Sequence, residues 1–563
     1  MDFKLEIAKK ISSMTEMETE KILELMEIPP QPNMGDYAFP CFQLAKVMRK
    51  APNMIARELA EKVEKDDTLE KAEAAGGYLN FFINKEGFIK HTIAQILEQG
   101  EKYGSSDKGE GKTVLVEFSS PNIAKPFHIG HLVNTITGNS IEKIFKHLGY
   151  NTVKLNHLGD YGTQFGKLIS AYKRWGVDEV IAKDPINELL KIYVKFHEEA
   201  EKDPSLEDEA RAYFKQLEDG EPEAVALWEK FRELSLTEFR KLYKDFNIEF
   251  DSYAGESFYS DKMPEVVQIL KDKNLLKESN GAQIVDLEQF NLPPCLILKS
   301  DGATIYATRD LAAAIYRKRT YDFYKSLYVV GNTQALHFKQ FFSVLQLAGF
   351  EWAQNCVHVG TSLVKFADRK LASRKGDVIY AKEVVDEAVE KTLEIINSKN
   401  PNLEDKEEVA KKVGMGAIIY TFLKNNMDRD IIFSWEDMLS FEGESGPYVL
   451  YSYVRGKSIL KKAGNIGENP DLSYLKTEDE YNMVKLLGFF KGTVEQAGDR
   501  YEPFVITRYV TDLAKAYNKF YNTHPILTAD EKVKEARLAL TKAVCSVLST
   551  GLGLLGIQTP ESM

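Results

Sequence analysis

The sequence predicts a multidomain α/β protein: a parallel-sheet domain interrupted by a helical insertion, behind a small α+β domain and ahead of an all-α region. Three observations carry this expectation. The chain has 563 residues, which at roughly 150 residues per domain means three or four domains. Between residues 113 and 359 short apolar runs alternate with helix-compatible stretches, the order that builds parallel strands joined by helical crossovers. From about Ala381 onward strand signals nearly vanish while apolar residues recur at helical spacing.

The first domain is expected over residues 1–104. It carries helical patterns at 3–14 and 42–64, then the aromatic strand-like run Tyr78-Leu79-Asn80-Phe81-Phe82-Ile83. The hydrophilic stretch 104–112 is punctuated by glycines and reads as a linker. The α/β domain is expected over 105–380. Its first strand, 113–118, runs into a proline-containing turn and a helix from His131 onward, and further strands are expected at 152–155, 327–330 and 357–359. Residues 186–247 are charged, apolar at helical spacing and nearly free of strand signals. They predict a helical insertion over about 183–250. The all-α region covers 381–563. There is no fixed-period repeat and no low-complexity tract.

Composition narrows the class. Hydrophobic residues are 44% and charged residues 28%, which excludes disorder as the dominant state. No run of about 18 uninterrupted strongly apolar residues stands out, so the reading is a soluble, non-secreted chain without a membrane. The four cysteines, Cys41, Cys295, Cys356 and Cys545, lie far apart with no C-x-x-C pair. They suggest neither a disulfide framework nor a zinc site and fit a reducing cytoplasm. Lys plus Arg number 73 against 85 Asp plus Glu, a net charge of -12. Residues 441–563, however, hold 15 basic and 15 acidic side chains. A polyanionic partner is therefore not excluded, because local patches decide such binding.

Two glycine patterns are decoys. Residues 106–113, SDKGEGKT, lack the first glycine of a phosphate-binding loop and precede a strand, whereas such a loop follows one and opens a helix. Residues 551–556, GLGLLG, match a dinucleotide fingerprint letter for letter. Only seven residues follow, too few for the unit that would use it, so a glycine-interrupted helix end is expected.

The chemistry sits after the first strand of the α/β domain, in Ser119-Ser120-Pro121-Asn122-Ile123-Ala124-Lys125-Pro126-Phe127-His128-Ile129-Gly130-His131-Leu132. Two imidazoles at i and i+3, with a glycine between them, fall where a strand turns into a helix. At the carboxyl end of a parallel strand they lie beside the free N–H groups of a helix start. That context suits phosphate: His128 and His131 can donate, Gly130 permits close approach of a nucleotide, and Lys125 adds a mobile positive charge. A lone histidine would more often be structural; the pair in this context reverses that reading.

His128-Ile129-Gly130-His131 resembles the HIGH signature of class I aminoacyl-tRNA synthetases, and the surrounding SSPNIAKPFHIGHL resembles the arginyl members in particular. The likeness continues, in order, through 156–166 (NHLGDYGTQFG), 306–310 (YATRD), 331–334 (GNTQ), 445–448 (SGPY) and 554–557 (LLGI). The second family signature, KMSKS, is matched by Lys370-Leu371-Ala372-Ser373-Arg374. Lys370 keeps its first lysine and Ser373 stands in place of the second. Many arginyl enzymes share that departure and carry a lysine just ahead of HIGH, the position of Lys125 here.

The resemblance implies a Rossmann-like catalytic domain with its helical insertion, an N-terminal domain that binds the tRNA elbow, and a C-terminal anticodon-binding domain. It implies ATP as substrate with Mg2+ as counter-ion, arginine and arginine tRNA as partners, and a cytoplasmic monomer. Lys125, His128, Gly130, His131 and Lys370 would bind ATP and stabilise phosphate charge. Glu117, Asn122, Tyr306, Asp310 and Gln334 would bind arginine. A planar guanidinium calls for carboxylate acceptors, and Tyr306 and Asp310, at i and i+4, share a helix face. Tyr78 and Asn80 would contact the tRNA elbow; Tyr448, Tyr451 and Arg455, together with Met563, would contact the anticodon region. Core packing of the tyrosines is the competing reading for these last positions. Another class I synthetase, a nucleotidyltransferase of the same fold and a non-catalytic relative stay open at this point.

Overall fold

In a computed structural model of the chain, the described residues are 3–29, 31, 34–366, 379–464, 467 and 469–563. Lys370 and Ser373, with the rest of the segment resembling KMSKS, lie outside them. Two compact units emerge.

One unit comprises Met1–Tyr103, Ser452–Lys491 and Val510–Thr550. Its sheet is antiparallel in the order β1-β3-β2, from β1 (Tyr37–Pro40), β2 (Leu69–Ala75) and β3 (Tyr78–Ile83). Phe39, Leu79 and Phe81 from the sheet pack with Ile7, Ile11, Ile55 and Leu59 from the helices Phe3–Met14 and Pro52–Lys62. The single helix expected over 42–64 is broken into a short 3-10 turn Cys41–Leu44, one turn Ala45–Met48, and Pro52–Lys62. Arg49 ends the second piece at a left-handed φ of 51°. Pro52 opens the third in its first turn, where a missing N–H costs nothing, and Ala51 before it is extended, as a residue preceding proline prefers. A buried pair, Arg537 Nε to Glu480 Oε1 at 2.8 Å, ties two of the unit's later helices.

The other unit comprises Gly104–Tyr451, Gly492–Tyr509 and Gly551–Met563. Its strands are β4 (Thr113–Glu117), β5 (Asn151–Leu155), β6 (Leu276–Ser279), β7 (Ala282–Val285), β8 (Cys295–Leu298), β9 (Lys325–Gly331), β10 (Cys356–Thr361), β11 (Val364–Phe366) and β12 (Ile431–Phe433). Four form the parallel sheet β10-β9-β4-β5. The chain winds from β4 outward to β5, then returns to lay β9 on the other edge of β4. The strand order therefore reverses between β4 and β9, and a crevice opens at their carboxyl ends. Glu117, the last residue of β4, is in register with Tyr328 of β9.

The insertion is helical as expected, with helices Pro185–Ala200, Ser205–Glu218 and Pro222–Asp245. The hydrophilic 104–112 segment is a loop, but a pinned one: Gly109 N donates to Leu148 O at 2.9 Å and Ser106 N to His147 O at 3.3 Å. A small antiparallel sheet, β6-β7-β8, was not expected. Neither was the three-residue parallel pair of β11 with β12. The 551–556 glycines end the helix Glu531–Leu555, with Gly556 at φ 85°. That helix is long and apolar enough to cross a membrane by length and composition, a feature the sequence reading passed over, yet 72% of its apolar window is buried inside the protein. Burial of that kind is what a core helix shows. All four cysteines are unpaired and buried.

Candidate active site

The β4 strand ends at Glu117, and the chain then takes left-handed backbone at Ser119 (φ 71°), Ser120 (φ 48°) and Ala124 (φ 56°). Such conformations cost about 1–3 kcal/mol each for residues with a Cβ and persist only where neighbours enforce them. The third insertion helix supplies two of the braces: the Tyr243 hydroxyl lies 2.7 Å from Ser119 Oγ, and Ser235 Oγ accepts from Ala124 N at 3.0 Å. Asn156 provides another, its Oδ1 accepting from Ser120 N at 3.2 Å while its Nδ2 donates to Tyr243 at 3.0 Å. Further along, Asn122 bridges Gly159. A Cβ at Gly159 would lie 2.3 Å from Asn122 Oδ1, so a side chain there would displace the Asn122 amide.

The loop delivers the chain to the helix Ile129–His147, whose N-cap is His128. His128 Nδ1 accepts from Gly130 N at 3.1 Å and from His131 N at 3.4 Å, and His131 Nδ1 accepts from His128 N at 3.3 Å. The two rings stack with centroids 3.6 Å apart. With each Nδ1 accepting, each Nε2 carries the proton and is the donor left for a ligand. Burial pushes both imidazoles below their usual range, His131 to about 3 with His128 and Lys125 adding to the effect. They are neutral donors at pH 7, not cations. A Cβ at Gly130 would lie 3.0 Å from the His128 ring, a tight approach that the ring would have to yield to. Lys125 is exposed on the same loop. Residues just past the undescribed segment pair with this start: Ile129 N donates to Ile379 O at 3.0 Å and Ala381 N to Phe127 O at 2.8 Å.

At the β4/β9 crevice lies a cavity of about 520 Å³ lined by Glu117, Asn122, Tyr306, Asp310 and Gln334. The five residues expected to bind arginine thus share one cavity. Glu117 comes from a strand end, Asn122 from the braced loop, and Tyr306 and Asp310 from one face of the helix Tyr306–Tyr321. Gln334 comes from the 3-10 turn that follows β9. Tyr306 is largely exposed, and its ring stands edge-on to His337 at 4.9 Å.

Other lining residues escaped the sequence reading: His157, Glu256, Arg317 and His337. His337 Nε2 is 2.6 Å from Asp310 Oδ2, and His157 Nε2 is 3.8 Å from Asp310 Oδ1. Arg317 Nη1 is 2.5 Å from Glu117 Oε2. Burial raises the Asp310 carboxyl, but the His337 hydrogen bond and the charges of His337, His157 and Arg317 outweigh it, so the group lies below its usual value. Glu256 goes the other way. Burial pushes it up to about 7 despite Arg309, whose Nη1 is 3.1 Å away, with Asp310 and Asp160 adding to the rise. A signal for Arg317 was present, because it follows Asp310 by two helical turns on the same face. Glu256 follows no periodic pattern.

The remaining expected positions lie elsewhere. Asn80 is buried on β3, and Tyr78 is half-buried with its ring edge-on to Phe42 at 5.5 Å. Tyr448 is half-buried and Tyr451 exposed on the helix Gly446–Ala463. Arg455 on that helix donates to Asn518 Oδ1 at 3.0 Å and lies over the Tyr521 ring at 4.6 Å. Met563, the last residue, is half-buried.

Comparison with known proteins bears on the same segments. Residues 92–435 match the family described as tRNA synthetases class I (R), catalytic domain. Residues 449–563 match the DALR anticodon binding domain, and residues 1–83 the arginyl tRNA synthetase N terminal domain. The chain is 60% identical to proteins named Arginine--tRNA ligase from Clostridium botulinum and Clostridium beijerinckii, over 100% of each chain. Its fold is similar to that of Thermus thermophilus arginyl-tRNA synthetase, with a TM-score of 0.80, 28% identity and 96% of each chain covered. With the HIGH pair capping its helix beside a carboxylate-lined crevice and all three stretches matched in order, the chain belongs to the class I arginyl-tRNA synthetase family.

Proposed function

We propose that the chain activates arginine with ATP to arginyl-adenylate and transfers it to the 3' end of arginine tRNA, releasing pyrophosphate and then AMP. The observation that carries this reading is the cavity at the sheet's reversal point, with Glu117, Glu256 and Asp310 on its walls, opening from the connection that His128 and His131 terminate.

In the first step an oxygen of the arginine carboxylate attacks the α-phosphorus of ATP, and the bond to pyrophosphate breaks. In the second, the terminal ribose hydroxyl of tRNA attacks the acyl carbon, and AMP leaves. The first nucleophile is already ionised, so the protein needs no general-base triad. Its work is positioning and stabilisation of developing phosphate charge. The Nε2–H groups of His128 and His131 aim neutral donors at the phosphates, and Lys125 and Lys370 bring positive charge. Mg2+ would accompany ATP as its counter-ion. The chain's part is to orient the phosphates that such an ion would accompany. Asp310, Glu117 and Glu256 take the guanidinium, with Asn122, Tyr306 and Gln334 completing the pocket. Lysine, a point charge, would leave the carboxylates poorly paired, which is a route to its rejection.

The same reading assigns residues 1–104 to the tRNA elbow through Tyr78 and Asn80, 105–380 to catalysis, and 381–563 to the anticodon through Tyr448, Tyr451, Arg455 and Met563, in a cytoplasmic monomer. Arg455→Ala is expected to slow aminoacylation through a raised KM for tRNA, read from kinetics at varied tRNA concentration; a change confined to kcat would contradict the assignment.

Arginine binding should also depend on pH. A bound cation favours ionised Glu256, whose carboxyl titrates near 7. Arginine KM is therefore expected to fall as pH rises through 7 and to level off above it, by up to about tenfold per unit at most. Glu256→Gln should flatten that slope. A slope preserved in the variant would remove Glu256 as its source.

The deciding experiment is arginine-dependent ATP/pyrophosphate exchange, run with and without tRNA and with lysine, citrulline and glutamate as competitors. Exchange with arginine, and only when tRNA is present, is expected. Tight tRNA binding without exchange or aminoacylation would overturn the enzymatic reading in favour of a tRNA-binding relative.

A further inference from the structure

A cavity read as taking a guanidinium already contains one. Arg317 is 2% exposed, with Nη1 2.5 Å from Glu117 Oε2 and Nη2 3.3 Å from His157 Nδ1. Its guanidinium lies over the rings of Tyr259 and Tyr328, with centroids at 5.6 and 5.7 Å. Its Nε is buried without a hydrogen-bond partner. The side chain thus reproduces, inside the protein, the set of contacts the cavity would offer a substrate: a carboxylate, an imidazole nitrogen and aromatic faces.

We propose that Arg317 is a positioning residue for arginine selection, a resident guanidinium that holds the Glu117 carboxylate in one orientation so that the cavity admits a single further guanidinium against Asp310. The inference rests on arginine being the cavity's ligand. The physical case has two parts. Glu117 is buried, 6% exposed, and a buried carboxylate is costly unless a cationic partner engages it. With Arg317 in place, Oε2 is engaged and Oε1 is the oxygen left over, so the incoming fork meets one acceptor from Glu117 and is directed to Asp310 for the other. Arg317 also touches His157, which in turn lies 3.8 Å from Asp310. One side chain therefore contacts one carboxylate directly and reaches the other through a single ring.

The test uses the full chain with tRNA and methylguanidinium as probe. In the wild type, methylguanidinium is expected to compete with arginine and raise its KM. In Arg317→Ala, which opens a guanidinium-sized space beside Glu117, arginine KM is expected to rise by about tenfold with ATP KM unchanged. Millimolar methylguanidinium should then lower arginine KM again, the opposite sign to the wild type. Absence of rescue in a variant with an intact melting transition, or equal shifts in the KM for ATP and arginine, would overturn the positioning role. If Arg317→Ala does not fold, Arg317→Lys carries the test. It keeps the charge but loses the fork, so a raised arginine KM supports the proposal and an unchanged one overturns it. A wild type that shows no arginine-dependent exchange and no competition by methylguanidinium would sink the arginine reading itself, a separate result from failed rescue.

Discussion

Asp310→Asn is expected to raise the arginine KM by roughly thirtyfold or more, because removing one partner of a buried charged hydrogen bond costs about 2–5 kcal/mol. The amide keeps the shape of the carboxylate and can still accept from His337, 2.6 Å away. It loses the negative charge and turns an N–H2 group toward a substrate that has only donors to offer. The ATP KM should be unaffected, and citrulline, a neutral isostere, should compete with arginine more effectively than it does in the wild type. Arginine-dependent exchange at varied arginine and ATP concentrations reads both constants. Unchanged arginine affinity would remove Asp310 from the site.

His128→Ala is expected to lower kcat by about 10²–10³, the range seen when one preorganised donor to developing charge is removed. The structure adds a complication, since His128 also caps its helix through Nδ1. Losing a cap costs roughly 1 kcal/mol of stability. His128→Asn separates the two roles: asparagine caps well but places no donor where Nε2–H stood. The alanine variant should be both slower and less stable, and the asparagine variant slower with near-normal stability in thermal melts. Full activity in the asparagine variant would make His128 a cap and nothing more. Equal effects on kcat and on arginine affinity would take it off the phosphates.

The parallel strands were legible because each is a short buried run of apolar residues, as in Val114, Leu115 and Val116, all 0% exposed. The apolar spacing over 42–64 is continuous, but Pro52 can only open a helix and so divides the stretch. The β6-β7 hairpin was missed although its turn is Asn280-Gly281, both left-handed at φ 53° and 79°, a strong hairpin signal. Its first strand reads LKES and is mostly exposed, so no apolar alternation drew attention to it. In the site, residues that donate or accept charge toward a ligand could be named from motif and spacing. Of the groups that already engage them, Arg317 shares the helix face of Asp310, whereas His157 and His337 reach Asp310 from two other elements and no spacing announces them. Glu256 is set by a loop whose path depends on Asp160, whose Oδ1 accepts from Ser257 N at 2.9 Å. That contact joins residues 97 apart in sequence, and no local pattern announces it.

The four buried thiols have a practical corollary. Burial pushes Cys41 up to about 11 and Cys295, Cys356 and Cys545 up to about 12, and it is the thiolate that reacts. The native chain should be nearly silent to alkylating dyes, so a single cysteine introduced at an exposed position such as Val177, 53% exposed, would carry a fluorophore without removal of any native cysteine. Conversely, dye uptake by the unaltered chain counts unfolded molecules, with four reporters per chain, two on strands, one in the 3-10 turn after β1 and one in the long terminal helix.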